Sequence, residues 1–315
     1  MTERKTGGML SPYCVLDLAD EKGLFCGKLL GDLGADVIKV EKPGGDPSRN
    51  IGPFYHDEPD PEKSLFWFAY NTNKRGITLD IEKVDGKEIF KKLVKTADFV
   101  IESFSPGYMD KLGLGYQELE KINPGIIMVS ITPFGQTGPY KDYKAPDIVA
   151  WALGGEMYSF GDADRPPTRV SHHSQSYLLA GGEAAVGGIL ALYNRVITGE
   201  GQQVDVSIQE CVARSFPQYT TALWDMEKIV RPRGLGNPIH HIPDADTALY
   251  NRTTMWPCKD GYVTWIYWVG PMATRLNAIS IGWMESEGLR DDFLHNFDAS
   301  TLDWYTIPPD VVNHI

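Results

Sequence analysis

The chain has 315 residues, of which 42% are hydrophobic and 23% charged, an ordinary globular composition that excludes disordered and fibrous classes. Lys and Arg number 30 against 42 Asp and Glu, a formal net charge of −12. That balance argues against a general nucleic-acid binder, because phosphate contacts need a net basic face.

The elements follow in chain order. Cys14–Leu18 reads as a short strand. Residues 24–33 have helical spacing, with Leu29, Leu30 and Leu33 on one face. Ala35–Glu41 is β-branched and apolar, a strand that Pro43-Gly44-Gly45 ends. Residues 77–81 read as a strand, with Lys74-Arg75 in a polar turn before it. Residues 85–96 read as an amphipathic helix with Ile89, Phe90 and Leu93 inward. Ala97–Glu102 is a strand, residues 116–122 a short helix, and 126–131 a buried strand. Strands alternating with helices imply βαβ units and a parallel sheet. Residues 178–195 form an Ala/Gly/Leu-rich helix whose glycines point to close packing. Residues 203–208 give another strand. Residues 231–244, with prolines, glycines and His240-His241, read as a loop or linker. Around Lys259-Asp260-Gly261 the pattern is strand–turn–strand, with Asp-Gly as the hairpin signal. The expected division is a large region over 1–230 and a small one over 231–315.

The 4 cysteines (Cys14, Cys26, Cys211, Cys258) are widely spaced and include no C-x-x-C pair. The expectation is a reduced, cytoplasmic protein without a disulfide framework or zinc site. No run approaches the ~20 apolar residues of a membrane helix, and the polar N-terminus lacks a signal-peptide core, so no membrane role is expected. There is no G-x-G-x-x-G, P-loop, G-x-S-x-G elbow or H-E-x-x-H. The pairs His172-His173 and His240-His241 are adjacent, and neighbouring side chains rarely share one metal, so no metal ligand is assigned. The Ser171–Ser176 segment reads equally as a solvated N-cap lead-in or as a site loop.

The cations are more suggestive. Lys42 follows a strand, Lys111 follows the 97–102 strand, and Lys141 and Lys144 follow the 126–131 strand. Ligands of open α/β sheets bind beyond the carboxyl ends of strands. Cations there could build a local anion site, with Lys74-Arg75 contributing. Read on their own, scattered surface lysines account for them slightly better.

The ordered segments shift that balance. The run Leu29-Leu30-Gly31-Asp32-Leu33-Gly34-Ala35-Asp36-Val37-Ile38-Lys39-Val40-Glu41-Lys42-Pro43-Gly44-Gly45-Asp46 comes first. Asn73-Lys74-Arg75-Gly76, Glu102-Ser103-Phe104-Ser105-Pro106-Gly107 and Lys111-Leu112-Gly113 follow. Phe134-Gly135-Gln136-Thr137-Gly138-Pro139 and Thr198-Gly199-Glu200-Gly201-Gln202 complete the series. Together they resemble the class III CoA-transferases, and within that family a subunit of the heteromeric enzymes that move CoA between succinyl-CoA and benzylsuccinate. The resemblance implies an α/β fold: a Rossmann-like parallel-sheet large domain, a smaller α+β domain and an interlocked dimer. It implies an acyl-CoA substrate and no permanently bound cofactor. CoA contacts carried over by position fall at Glu21, Lys22, Lys42, Leu79, Asp80, Ile81, Glu82, Ser103, Phe104, Ser105, Lys111, Lys144 and Asp147.

One departure matters most. In such transferases a carboxylate after a Pro-Pro pair attacks the acyl-CoA. Here the loop runs from Pro166-Pro167 to Tyr177, and counting places the nucleophile slot at Tyr177 or Ser176. Neither is an acid, and an ester formed there would not exchange readily with the CoA thiol. The racemase members' His-Asp pair is also missing, since Pro146 precedes Asp147. The resemblance then implies one of two arrangements. Either a homologous sister subunit carries the aspartate and this chain walls the partner's site with the His240-His241 region and Trp256, Trp265 and Trp268, or Glu183 or Asp164 is displaced into the site of a homodimer. A third reading is a non-catalytic CoA-binding or structural protein. Family chains usually return to the large domain after the small one. The expectation for Ile315 is therefore a naturally short or an incomplete chain.

Overall fold

A computed structural model describes residues 8–160, 166–169, 171, 173–215, 231–232, 238–239, 255–264 and 273–296. Contacts divide the chain into two compact units, Met1–Gly154 with Ser171–Phe216, and Gly155–Val170 with Pro217–Ile315. Residues 155–170 thus group with the second unit, although the sequence placed them in the large region.

The first unit is a 6-stranded sheet in the order β3-β2-β1-β4-β5-β6. Its strands are β1 (Cys14–Asp17), β2 (Asp36–Glu41), β3 (Lys74–Thr78), β4 (Phe99–Glu102), β5 (Ile127–Thr132) and β6 (Gln202–Ser207). Every neighbouring pair is parallel. This is the doubly wound order, with its switch point between β1 and β4. Both faces are covered, so the strands read as continuous apolar runs. Val15, Phe99, Ile101, Ile127 and Val129 face one core, with α1 (Leu24–Asp32) and α7 (Gln175–Thr198). Leu16, Val100 and Met128 face the other, with α3 (Val84–Val94), α4 (Tyr108–Leu112) and α5 (Tyr116–Ile122). Each large side chain buried this way contributes about 1.5–3 kcal/mol.

Gly181 and Gly187 of α7 behave as their packing pattern implies. A Cβ on Gly181 would lie 2.8 Å from the Phe25 Cβ, so α7 and α1 meet there only because that atom is missing. Three local expectations are corrected. Lys74 and Arg75 are not in a turn; they begin β3, because pairing with β2 starts at Val37↔Lys74. Ile89 is exposed, and Val94 takes the inward position beside Phe90. The helix α2 (Leu65–Asn71), capped by Ser64, has no counterpart in the sequence reading.

In the second unit, β7 (Met255–Cys258) and β8 (Gly261–Thr264) form the antiparallel hairpin expected at Asp260-Gly261. A helix over Ala273–Ser286 follows. The His240-His241 region, Trp265, Trp268 and the Trp256 side chain lie outside the described residues, as does Asp164.

Candidate CoA cleft at the switch point

The carboxyl ends of β1 and β4 are stitched together. The Ser103 hydroxyl accepts the Asp20 N–H at 2.9 Å and donates to the Asp20 carboxylate at 2.7 Å. The Leu18 N–H donates to the Ile101 carbonyl at 2.8 Å. These bonds hold open the crevice that a reversed strand order leaves. The crevice is a cleft of about 420 Å³, lined among others by Lys22, Phe104, Lys141, Tyr143, Lys144 and Tyr177. Ser103 and Ser105 also border it.

Of the residues expected from sequence, Lys22, Ser103, Phe104, Ser105 and Lys144 come together here. Lys22 is paired with Asp20. Lys141 and Lys144 are exposed and have no ion-pair partner among the described residues, so both are available to an anion. Glu21 borders a small hollow on the other side of Tyr177, and burial and the Asp20 carboxylate push its pKa up.

A second group lies at the ends of β2 and β3. Lys42 Nζ is 2.6 Å from Glu82, which also accepts the Tyr108 hydroxyl. Glu82 holds the Lys42 ammonium above its usual range. The Leu79 N–H donates to the Glu41 carbonyl at 2.7 Å, and the Asp80 carboxylate accepts the Glu82 N–H at 3.0 Å. Ile81 is in the core and Leu79 packs against it, while the Glu82 side chain is exposed. Lys111, in the last turn of α4, is exposed and borders neither the cleft nor the hollow.

Asp147 begins the helix α6 (Asp147–Leu153) and is buried. Its Oδ1 accepts both the Ser176 N–H at 2.9 Å and the Ser176 hydroxyl at 2.7 Å. Rather than lining the cleft, it anchors the first turn of α7. Ser176 is fully buried by this bond, whereas Tyr177 borders the cleft. Burial pushes the Tyr177 phenol up, and Glu21, Asp147 and Asp20 add to the shift. The slot therefore presents a neutral phenol, not a nucleophilic anion. Glu183 lies further along α7, 3.8 Å from Arg214.

Neither Lys74 nor Arg75 borders the cleft. Lys74 Nζ is 2.8 Å from Asp17 in a side-chain pair 1% and 0% exposed, and it donates to the Leu24 carbonyl at 2.8 Å. Lys39 lies 3.9 Å from Asp17 and 3.2 Å from Asp46. Arg75 forms a surface fork on Asp36 at 2.9 and 2.7 Å. Lys74 and Arg75 are thus consumed by carboxylates and add nothing to an anion site. Conversely, Tyr143, stacked on Tyr140 with 5.4 Å between ring centroids, brings an aromatic edge to the cleft. Their only sequence signal is their position after β5.

The family model for CoA-transferase family III matches residues 10–286. The chain is 37% identical over 286 residues to succinyl-CoA:(R)-benzylsuccinate CoA-transferase subunit BbsE of Thauera aromatica, covering 90% of this chain and 66% of that protein. It is 44% identical over 214 residues to succinyl-CoA–D-citramalate CoA-transferase of Chloroflexus aurantiacus, covering 67% of this chain and 52% of that one. The chain thus spans from about half to two thirds of the length of these curated relatives. Among solved structures, a CAIB/BAIF family protein from Brucella suis superposes with a TM-score of 0.72 at 31% identity, over 93% of this chain and 74% of that one. With the doubly wound sheet and the cation-bordered cleft, these matches show that the chain belongs to CoA-transferase family III.

Proposed function

We propose that the chain is the non-nucleophilic subunit of a heteromeric CoA-transferase, whose aspartate is carried by a homologous sister subunit. The observation that carries the reading is the slot itself. A buried, neutral Tyr177 occupies the first turn of α7, beside Lys22, Lys141 and Lys144. Asp147 is committed to Ser176, and Glu183 faces Arg214 on α8 (Ile208–Ser215). The names of relatives support the same assembly. One is called a subunit of a benzylsuccinate CoA-transferase, and another, from Chloroflexus aurantiacus, the beta subunit of succinyl-CoA–L-malate CoA-transferase.

The proposed donor is a thioester such as succinyl-CoA, and the acceptor a carboxylic acid such as benzylsuccinate. The sister's aspartate carboxylate attacks the thioester carbonyl, the C–S bond breaks, and a mixed anhydride and CoA thiolate form. The thiolate then attacks the aspartyl carbonyl, releasing the donor acid and leaving an aspartyl-CoA thioester. The acceptor carboxylate attacks that thioester, expelling CoA thiolate and forming a second mixed anhydride; the thiolate attacks the acceptor carbonyl of that anhydride, giving the new acyl-CoA and freeing the aspartate. This chain's part is to hold CoA. Lys141 and Lys144 face its phosphates, the Ser103–Ser105 loop its thioester arm, and the 79–82 backbone its adenine. The chain is read as cytoplasmic.

Transfer assays on the lone chain, and on the chain co-expressed with an aspartate-bearing sister, test this. Activity is expected only in the pair, with hydroxylamine trapping the sister. Robust transfer by the lone chain, or labelling of its Glu183, overturns the assignment. A pair without activity favours a binding or structural role.

A further inference from the structure

Glu102 closes β4 and has no part in the transfer chemistry. It is nonetheless buried at 3% exposure, directly beneath the loop that borders the cleft. Its Oε2 accepts the Phe104 N–H at 2.8 Å, and the Ser130 hydroxyl on β5 bonds its carboxyl. Ser130 Oγ in turn accepts Nε2 of Gln203 on β6 at 3.2 Å. A hydrogen-bonded chain therefore crosses β6, β5 and β4 and ends on the backbone of the cleft loop.

Phe104 of that loop also packs against the core under α3–α5 and against the Tyr108 ring, and Ser103 is tied to Asp20. Behind the loop lies a second cavity of about 390 Å³, lined by Glu102, Ser130, Gln136 and Gln203. Ser105, Pro106 and Lys141 border this cavity and the cleft alike. The buried Gln136 Nε2 beside the cavity has no hydrogen-bond partner among the described residues. The Glu102–Phe104 bond therefore fixes the loop backbone where it passes between two hollows.

We propose that Glu102 is a positioning residue, which through the Phe104 N–H holds the Ser103–Ser105 loop in the shape that binds the CoA thioester. The proposal rests on the CoA reading above. Burial raises the Glu102 carboxyl to about 7, against the pull of Ser130 and the Phe104 N–H. The charged groups facing it are Lys22 after β1, Asp110 on α4 and Lys141 after β5. Both protonation states accept the Phe104 bond. Ionisation keeps the tie and adds a negative charge near an anionic ligand, so CoA affinity falls as pH rises through that value.

Calorimetric titration of the full chain with free CoA tests this at about pH 6 and about pH 8.5, on either side of the transition. Glu102→Ala strands a buried N–H and is expected to weaken CoA about tenfold at the lower pH, while Glu102→Gln restores it to within about twofold. The ratio of wild-type to Glu102→Gln dissociation constants rises from near unity to about fivefold at the higher pH. The phosphates of CoA titrate alike against both proteins and cancel in that ratio. Equal affinity of Glu102→Ala and wild type, or a Glu102→Gln protein that follows the wild-type pH dependence, overturns the proposal. If Glu102→Ala does not fold, the Glu102→Gln ratio decides alone. A wild-type chain that binds no CoA overturns the CoA reading instead.

Discussion

Replacing Lys74 and replacing Arg75, adjacent cations of one strand, should have very different consequences. Lys74→Met removes the ammonium 2.8 Å from an Asp17 carboxylate that is fully buried. What remains near Asp17 is Lys39 at 3.9 Å and the Ala19 N–H at 3.0 Å. Breaking one side of a buried pair costs about 3–5 kcal/mol, and the remaining partners place this case near the lower figure. Arg75→Met removes a side chain 66% exposed from a surface pair, a loss of about 0.5 kcal/mol. For a domain of about 150–250 residues these losses correspond to midpoint shifts of roughly 6–12 °C and 1–2 °C. Urea denaturation at constant slope, with circular dichroism confirming the fold, measures both. Pairing Asp17→Leu with Lys74→Met should recover much of the loss, since both charges are then gone. Equal costs for the two single substitutions would refute the buried-charge account of this cluster.

Other expectations follow from the same structure. Gly181→Val forces side-chain atoms into Phe25 and should cost about 1–3 kcal/mol in a thermal melt. Lys144→Ala should weaken CoA about fivefold in dilute buffer and progressively less as salt is raised. Because the folded Glu102 pKa of about 7 lies above its unfolded value of 4.5, its contribution is fully present below 4.5 and is lost as pH rises through 7. Glu102→Gln should therefore gain on wild type by an order of 2 kcal/mol between those pH values, read by denaturation at each. Tyr177→Asp should let the lone chain form a hydroxylamine-sensitive CoA adduct visible by mass spectrometry; an adduct on the unmodified chain would contradict the assignment.

The strands were legible because both faces of a parallel sheet are buried, leaving apolar runs such as Phe99–Ile101 in β4 and Ile127–Val129 in β5. The cleft loop at Ser103–Ser105 was legible from strand ends and from resemblance together. The roles of Lys39 and Lys74 were not, because what a lysine does there depends on what lies across the sheet. Lys39 shares the inward phase of Val37 in β2, a signal that alternation carries but that charge alone obscures. Lys74 looked like surface punctuation because its partner, Asp17, is remote in sequence. Glu102 looked like the polar end of a strand, and only three-dimensional proximity to Ser130 and Gln203 gives it a network.

Helix α7 sets the register of the whole cleft. Sliding it by one residue turns every side chain about 100° and moves it about 1.5 Å along the axis. A slip that brings Ala180 to the Gly181 position puts a Cβ against Phe25, and the opposite slip puts the Ile189 side chain where Gly188 stands against Phe99. The helix can therefore occupy one register or leave the sheet, with no intermediate setting. Position 177 has a location fixed by glycine contacts further along the same helix, independent of which side chain stands there. A sister chain that keeps those contacts can exchange tyrosine for aspartate without rebuilding the surrounding scaffold.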